Sequence, residues 1–213
     1  MSDISLFLDR LQEAPEQTSL IWRDRKFTGA WLLDEIEKQT RTISESGIEP
    51  GAVVALIGDY TPSTVAMFLA LLGKKAIVAP LLPATLMRSP QLIALIDPAF
   101  RIEVTDQENV TVSDTTPREP PHTLVGKIRQ LDVAGLILFT SGSSGEAKGV
   151  VHDFSRLVKK FESRRPPYRM MSFLTFDHAG GINTLLHAIA TNSPILLLEK
   201  RSVQYVCSQI ERH

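Results

Sequence analysis

The sequence predicts an α/β fold in which a mostly parallel sheet is flanked by helices on both faces. Residues 52–57 and 76–81 are continuous apolar runs without period-two alternation, as expected of strands that are covered on both sides. Between such runs, Thr61-Pro62 and Ser89-Pro90 each combine a capping side chain with a first-turn proline, which favours a helix start. Strands that alternate with helices in this way indicate crossovers between parallel strands.

The other elements follow from the same patterns. Further strands are predicted at 19–23, 26–28, 100–104, 136–139, 149–152, 170–175 and 194–198, and further helices at 4–11, 30–43, 154–162, 181–190 and 203–210. The polar segment 106–121 contains several prolines and is expected to be an exposed connection. The chain would then form one domain, or two closely packed lobes joined near 106–121.

The composition restricts the class of protein. Hydrophobic residues make up 43% of the 213 residues, which is enough for a substantial core, and 23 Lys and Arg balance 24 Asp and Glu. This balance attracts neither nucleic acid nor an anionic membrane, so a small-molecule partner is expected. Cys207 is the single cysteine, which excludes an internal disulfide and favours a cytoplasmic location. The most apolar stretch, 65–82, is interrupted by Lys74 and Lys75, so no membrane span is expected.

Residues 140–149 have a composition that suits phosphate binding. Glycines let backbone N–H groups approach an anion, hydroxyls add donors, and Lys148 supplies a positive charge. A flexible Gly/Ser linker has a similar composition, but a linker seldom leaves a buried strand and returns through another apolar run. The spacing matches neither the P-loop pattern G-x-x-x-x-G-K-[ST] nor the dinucleotide pattern G-x-G-x-x-G.

This loop resembles the signature T-S-G-[ST]-[ST]-G-x-x-K-G of adenylate-forming enzymes. That superfamily includes acyl-CoA and aryl-CoA synthetases, the adenylation domains of non-ribosomal peptide synthetases, and luciferases. Every specified position agrees, while Ala147 stands where proline is usual. The resemblance implies that the loop closes over the β- and γ-phosphates of ATP and that Lys148 stabilises their charge. The implied ATP-binding residues are Thr140, Ser141, Gly142, Ser143, Ser144, Gly145 and Lys148.

A second segment resembles the L-P-L-F-H-x-x-G motif of acyl-CoA synthetases. The sequence from Leu174 to Gly181 keeps the histidine, His178, and the glycine in register but departs from the motif at 175–177. The resemblance implies that His178 and Gly181 lie beside the carboxylate substrate and that Gly181 begins the next helix. Amino-acid-activating domains use the Asp of a comparable Phe-Asp segment to hold the amine, so Asp177 leaves an amino-acid adenylation domain open.

The resemblance also implies a reaction. A substrate carboxylate attacks the α-phosphorus of ATP, with Mg²⁺ sharing the phosphate charge, and an acyl adenylate and pyrophosphate form. In many members the acyl group then passes to the thiol of coenzyme A or of carrier-protein phosphopantetheine. The family's Tyr-Gly-x-Thr-Glu and Thr-Gly-Asp segments and its small C-terminal domain are not found in this sequence.

We therefore expect residues 1–213 to be the N-terminal part of an AMP-binding domain that is inactive alone. A non-catalytic nucleotide- or acid-binding module, and a docking lobe for a separate C-terminal part, are the alternatives. In the last predicted helix, Val203, Val206, Cys207 and Ile210 form one apolar stripe. The stripe needs a cover, so we also expect that copies of the chain can associate as a homo-oligomer.

Overall fold

The computed structural model describes residues 4–118, 120–141 and 147–213. Its strands are β1 (Thr18–Trp22), β2 (Arg25–Thr28), β3 (Val53–Ile57), β4 (Ile77–Leu81), β5 (Phe100–Val104), β6 (Val110–Asp114), β7 (Gly135–Ser141), β8 (Ala147–Asp153), β9 (Met170–Met171) and β10 (Ile195–Leu196). Its helices are α1 (Ser5–Glu13), α2 (Gly29–Glu45), α3 (Pro62–Gly73), α4 (Pro83–Arg88), α5 (Gln91–Ile96), α6 (Thr123–Leu131), α7 (Phe154–Val158), α8 (Ala179–Ala190) and α9 (Val203–Arg212). A short 3₁₀ helix, Lys159–Phe161, extends α7.

The larger sheet has the strand order β6-β5-β3-β4-β7-β8. Its four inner strands are parallel, and the edge strands β6 and β8 are each antiparallel to their neighbours. All residues of β3 and β4 are buried, as their uninterrupted apolar sequences predict. The α/β class and the mostly parallel arrangement are therefore confirmed.

A smaller sheet has the order β2-β1-β10-β9. β1 and β2 form an antiparallel hairpin, whereas β10 lies parallel to both β1 and β9. Arg23 and Asp24, which connect β1 and β2, both have positive φ angles, as a tight hairpin turn requires. The strands thus divide between two sheets, a division that local sequence patterns do not reveal.

Helix α3 lies in the centre of the protein. Residues 62–72 are all buried, which fits a helix that is apolar on every side. The predicted start is confirmed, because the Thr61 side chain accepts a hydrogen bond from the Thr64 N–H over 3.1 Å and Pro62 occupies the first turn. The helix packs against α2 and supplies much of the shared core.

Apolar side chains cover both faces of the larger sheet. One core cluster joins Val54 and Val78 of this sheet to Leu20 and Ile195 of the smaller sheet. A second cluster, on the opposite face, includes Leu92 of α5 together with side chains of α6. Helices therefore flank the sheet on both sides, as predicted.

Three elements were not predicted. The segment 106–121 contains β6, which pairs with β5 and alternates half-buried Val110 and Val112 with exposed residues. Helix α4 has no buried residue, and α6 buries only Val125 and Ile128. Their apolar signals are weak because each element covers little of the core.

Helix α9 exposes Val203, Cys207 and Ile210 of the predicted apolar stripe, whereas Val206 is half-buried. Val203 is 75% exposed and Ile210 is 61% exposed, and Cys207 is also exposed. Self-association through this face stays a prediction. Within the described ranges, none of the helices combines the length and apolar character that crossing a membrane requires.

An ion pair joins the two sheets beyond the ends of their strands. Arg201, which lies between β10 and α9, donates from both terminal nitrogens to Asp59, which follows β3, over 2.8 and 3.0 Å. The Arg201 Nε donates to the carbonyl oxygen of Phe173 over 3.0 Å. The two charged side chains are only 22% and 27% exposed, so the bidentate contact is partly shielded from water.

Replacing Arg201 with methionine removes these three hydrogen bonds but keeps most of the aliphatic side chain. Because hydrogen bonds to charged groups are stronger than neutral ones, we expect the free energy of unfolding in urea to fall by roughly 2–3 kcal/mol. The control is Arg41→Met, since Arg41 is exposed on α2 and lies 3.9 Å from Glu37. That control should change stability by less than about 0.5 kcal/mol. Equal stability of Arg201→Met and Arg41→Met would contradict this description of the contact.

Candidate functional site

The predicted phosphate loop connects two antiparallel strands. β7 leads into the loop and β8 leaves it, with Thr140 opposite Lys148 and Ser141 opposite Ala147. Both strands were predicted, and the hairpin explains why the chain returns through an apolar run. The loop residues Gly142, Ser143, Ser144 and Gly145 lie outside the described residues, as does the side chain of Ser141. Their role in binding ATP stays a prediction.

The position of this hairpin suits a ligand site. β7 is parallel to β4, with Leu136 opposite Val78, so the loop follows the carboxyl end of a strand in a largely parallel sheet. Ligands of open α/β sheets bind in the crevice outside these carboxyl ends. Thr140 and Lys148 are exposed at this edge, while residues 136–138 behind them are buried. A hydroxyl and an ammonium group are therefore accessible to an anion.

His178 is the N-cap of α8. Its Nδ1 accepts a hydrogen bond from the Gly180 N–H over 3.0 Å, so a neutral ring carries its proton on Nε2. The helix consequently begins at Ala179, and the prediction that Gly181 begins it was wrong by two residues. The ring of His178 is exposed. Its Nε2–H is thus available to an acceptor such as a carboxylate.

Gly181 is buried, and its surroundings leave no room for a side chain. A Cβ atom there would lie 2.1 Å from the carbonyl oxygen of Thr175 and 2.9 Å from the Tyr60 hydroxyl oxygen. The first turn of α8 can therefore approach the preceding segment only with glycine at this position. Contact between Gly181 and a substrate stays a prediction.

Tyr60 contributes to this region although the sequence did not single it out. Its ring is buried and packs edge-to-face on Phe176 at 5.2 Å, and its hydroxyl has no hydrogen-bond partner among the described residues. Burial, followed by the negative charge of Asp59, raises the pKa of the Tyr60 hydroxyl. Tyr60 is therefore a neutral phenol at physiological pH. Its sequence signal was its place between a buried strand and the Thr61-Pro62 helix start.

Asp177 is engaged within the protein. Its Oδ2 accepts a hydrogen bond from the Thr85 hydroxyl over 2.6 Å, and its Oδ1 accepts one from the Thr175 hydroxyl over 2.7 Å. Thr85 belongs to α4, which follows β4, whereas Thr175 and Asp177 lie between β9 and α8. The carboxylate thus links a connection of the larger sheet to the segment that carries His178.

A cleft of about 240 Å³ opens at the same end of the strands. It lies between the ends of β1, β3, β4 and β10, and its walls include Trp22, Tyr60, Leu82 and Leu198. A cavity of about 540 Å³ lies beside α9 and the smaller sheet. Neither space is lined by Thr140, Lys148, His178 or Gly181. Thr140, Lys148 and His178 are exposed, whereas Gly181 is buried in the first turn of α8.

Two glycine substitutions test the packing around α8. Gly181→Ala forces a methyl group into backbone atoms, so we expect the free energy of unfolding to fall by about 3 kcal/mol or more. The matched control is Gly126→Ala in α6, where a Cβ would meet nothing within 4 Å. That variant should be stabilised by up to about 1 kcal/mol, because alanine favours a helix interior. Thermal and urea unfolding measure both, and a harmless Gly181→Ala would refute the described contact.

Comparisons with known proteins agree with these observations. The family model described as AMP-binding enzyme matches residues 7–213. The 2-succinylbenzoate–CoA ligase of Bacillus pumilus is 26% identical over the whole chain, which spans 47% of that relative. Gramicidin S synthase 2 of Brevibacillus brevis is 19% identical over 72% of this chain and 4% of its own length.

Solved structures share the fold. The N-terminal subdomain of Klebsiella oxytoca NpsA, in complex with 3-hydroxyanthranilyl-AMSN, has a TM-score of 0.74 at 18% identity, covering 98% of this chain and 57% of that one. The o-succinylbenzoate CoA synthetase of Bacillus subtilis has a TM-score of 0.75 at 18% identity, and the match covers 98% of this chain and 46% of that one. This chain therefore belongs to the AMP-binding enzyme family, and it spans about half the length of the CoA ligase that it matches.

Proposed function

We propose that this chain is the N-terminal portion of an ATP-dependent enzyme that activates a carboxylic acid, similar to acyl- and aryl-CoA synthetases. The observation that carries the proposal is the position of the signature residues. β7 and β8 bring Thr140 and Lys148 to the carboxyl edge of the larger sheet, where α/β proteins bind ligands. Membership of the AMP-binding enzyme family supports a nucleotide as the ligand.

The proposed ATP site is the loop 140–149. Backbone N–H groups at the glycines, the hydroxyls and the Lys148 ammonium suit the phosphate oxygens, and Mg²⁺ binds together with these phosphates. Lys148 lies on the strand that returns from the loop, so the main chain of β8 determines where its side chain begins. The proposed role of Lys148 is to offset the charge on the β- and γ-phosphates as pyrophosphate leaves.

In the proposed reaction, a carboxylate oxygen of the substrate attacks the α-phosphorus of ATP. The bond from that phosphorus to the bridging oxygen of the leaving pyrophosphate breaks, and an acyl adenylate forms. In this proposal, the exposed Nε2–H of His178 holds the substrate carboxylate by a hydrogen bond. Gly181 allows the first turn of α8 to pack closely against Thr175 and Tyr60.

The second proposed step transfers the acyl group to a thiol, that of coenzyme A or of carrier-protein phosphopantetheine. Likeness to a CoA ligase supports coenzyme A as the acceptor. Likeness to a gramicidin synthase supports carrier-protein phosphopantetheine. Because the chain spans 47% of the ligase, we propose that turnover requires the remaining part of such an enzyme. The chain alone would act as its nucleotide-binding or docking portion. The exposed Cys207 suits the reducing cytoplasm, where we place the protein.

An amino-acid adenylation domain is the second candidate. The pair Phe176-Asp177 and the likeness to gramicidin S synthase 2 favour it. Both oxygens of Asp177 already accept hydrogen bonds from threonine hydroxyls, however, which favours an acid without an amine. Binding of benzoyl and phenylalanyl sulfamoyl-adenosine by the purified chain separates the candidates. Tighter binding of the benzoyl compound supports the first, and tighter binding of the phenylalanyl compound supports the second.

Titration calorimetry with MgATP tests the loop. We expect the purified chain to bind MgATP and Lys148→Ala to weaken the affinity about tenfold or more, since a charged hydrogen bond to phosphate is lost. Lys127→Ala is the matched control, because Lys127 is exposed on α6 and lies outside the loop 140–149. Equal affinities of the two variants would contradict the proposed role of Lys148.

Acid-dependent exchange of pyrophosphate into ATP tests whether the chain suffices for the reaction. We expect no exchange above background for the purified chain with benzoate, hexanoate or phenylalanine, because the chain spans about half of the related ligase. The positive control is a complete acyl-CoA synthetase under the same conditions. Robust exchange by the isolated chain would contradict the proposal that it needs further parts.

A further inference from the structure

We propose that Thr85 is a positioning residue for His178 and that it acts through Asp177. The proposal rests on the proposed function, because it takes His178 as the group that meets the acid. It concerns the polar contact between α4 and the segment 172–178, which runs from β9 to α8.

Side-chain burial alone does not hold this segment in place. Phe173 and Leu174 are exposed at 57% and 43%, and Phe176 is the large apolar side chain of the segment that is fully buried. Hydrogen bonds of Ser172 and of the Phe173 carbonyl oxygen hold the start of the segment, and the buried ring of Phe176 anchors its middle. These contacts lie before the end that carries His178. The polar side chains on either side of Phe176 are therefore needed to fix the direction in which His178 projects.

Asp177 provides that constraint from two directions. The Thr175 hydroxyl donates to its Oδ1 from within the segment, and the Thr85 hydroxyl donates to its Oδ2 from α4. The next residue, His178, donates its N–H to the carbonyl oxygen of Thr175 over 3.1 Å and accepts from Gly180 at Nδ1. The orientation of the imidazole is thus coupled to the Asp177 carboxylate.

Thr85 connects this arrangement to the phosphate side of the site. α4 follows β4 directly, and β4 pairs with β7, the strand that enters the phosphate loop. The Thr85 hydroxyl of α4 donates to Asp177 over 2.6 Å, and this hydrogen bond ties α4 to the segment. The bond therefore sets the position of His178 relative to the edge where Thr140 and Lys148 lie.

Hydrogen exchange of the purified chain tests this proposal without any need for activity. Thr85→Val keeps the shape of the side chain but removes the donor, and Thr85→Ser retains the donor. The amides of His178, Gly180 and Ile182 report on the segment, because all three donate hydrogen bonds there. We expect Thr85→Val to speed their exchange about tenfold and Thr85→Ser to restore it.

Thr42→Val is the matched control, since Thr42 is half-buried like Thr85 and its hydroxyl donates within α2 to the Lys38 carbonyl oxygen. It should leave exchange at 178–182 unchanged. Unchanged exchange in Thr85→Val, or failure of Thr85→Ser to restore it, would overturn the proposal. The amides of α3 should exchange as in the wild type in every variant, which separates a local effect from general destabilisation.

Binding of benzoyl-sulfamoyl adenosine then separates this inference from the proposed function. Where the wild type binds the compound, Thr85→Val should weaken the affinity at least fivefold and Thr85→Ser less than twofold. Equal affinities would overturn the positioning role. If the wild type does not bind, the proposed function loses support, and hydrogen exchange alone decides whether Thr85 positions His178.

Discussion

The packing of Phe176 against Tyr60 and Phe68 is the contact on which the candidate site depends. The ring centroids lie 5.2 and 5.3 Å apart in edge-to-face arrangements, and all three rings are buried. Tyr60 follows β3 and Phe68 belongs to α3, so both are fixed by the centre of the larger sheet. Such aromatic contacts add to the stability that burial provides. They bring the segment before α8, and with it His178, to the end of the sheet where β7 leads into the predicted phosphate loop.

The polar contacts around this aromatic cluster explain how the chain differs from the motif it resembles. The departures at 175–177 are the residues that make the contacts of the segment: Thr175 and Asp177 bond to each other and Phe176 fills the core. Arg201 adds a hydrogen bond to the main chain at Phe173 while it pairs with Asp59. The unusual residues therefore support one another, and the segment keeps its place between the two sheets.

Local signals in the sequence predicted most helices and strands. They failed for features that depend on contacts between residues far apart in the chain. Strand 100–104 and the Thr61 cap of α3 were predicted as observed, because apolar runs and capping residues act locally. The pairing of β1 with β10 depends on residues far apart in the chain, so the second sheet was not predicted. The start of α8 was misplaced because histidine is not a common capping residue.

For the site, the sequence predicted the residues, and the structure supplied their surroundings. The predicted phosphate loop and His178 carry recognisable patterns, whereas Thr85 and Arg201 have none. Their importance follows from packing and hydrogen bonds between elements that only the fold brings together. The same reasoning explains Gly181, whose pattern suggested a substrate contact and whose surroundings show tight packing against Thr175 and Tyr60.

The most direct test of the central claim is to label the purified chain with an acyl-phosphate derivative of ATP, which acylates lysines beside the bound phosphates. Mass spectrometry then identifies the modified lysine. The account predicts that Lys148 is labelled and that excess MgATP protects it. Labelling confined to other lysines, or labelling of Lys148 that MgATP does not reduce, would contradict the assignment of the β7–β8 loop as the phosphate site.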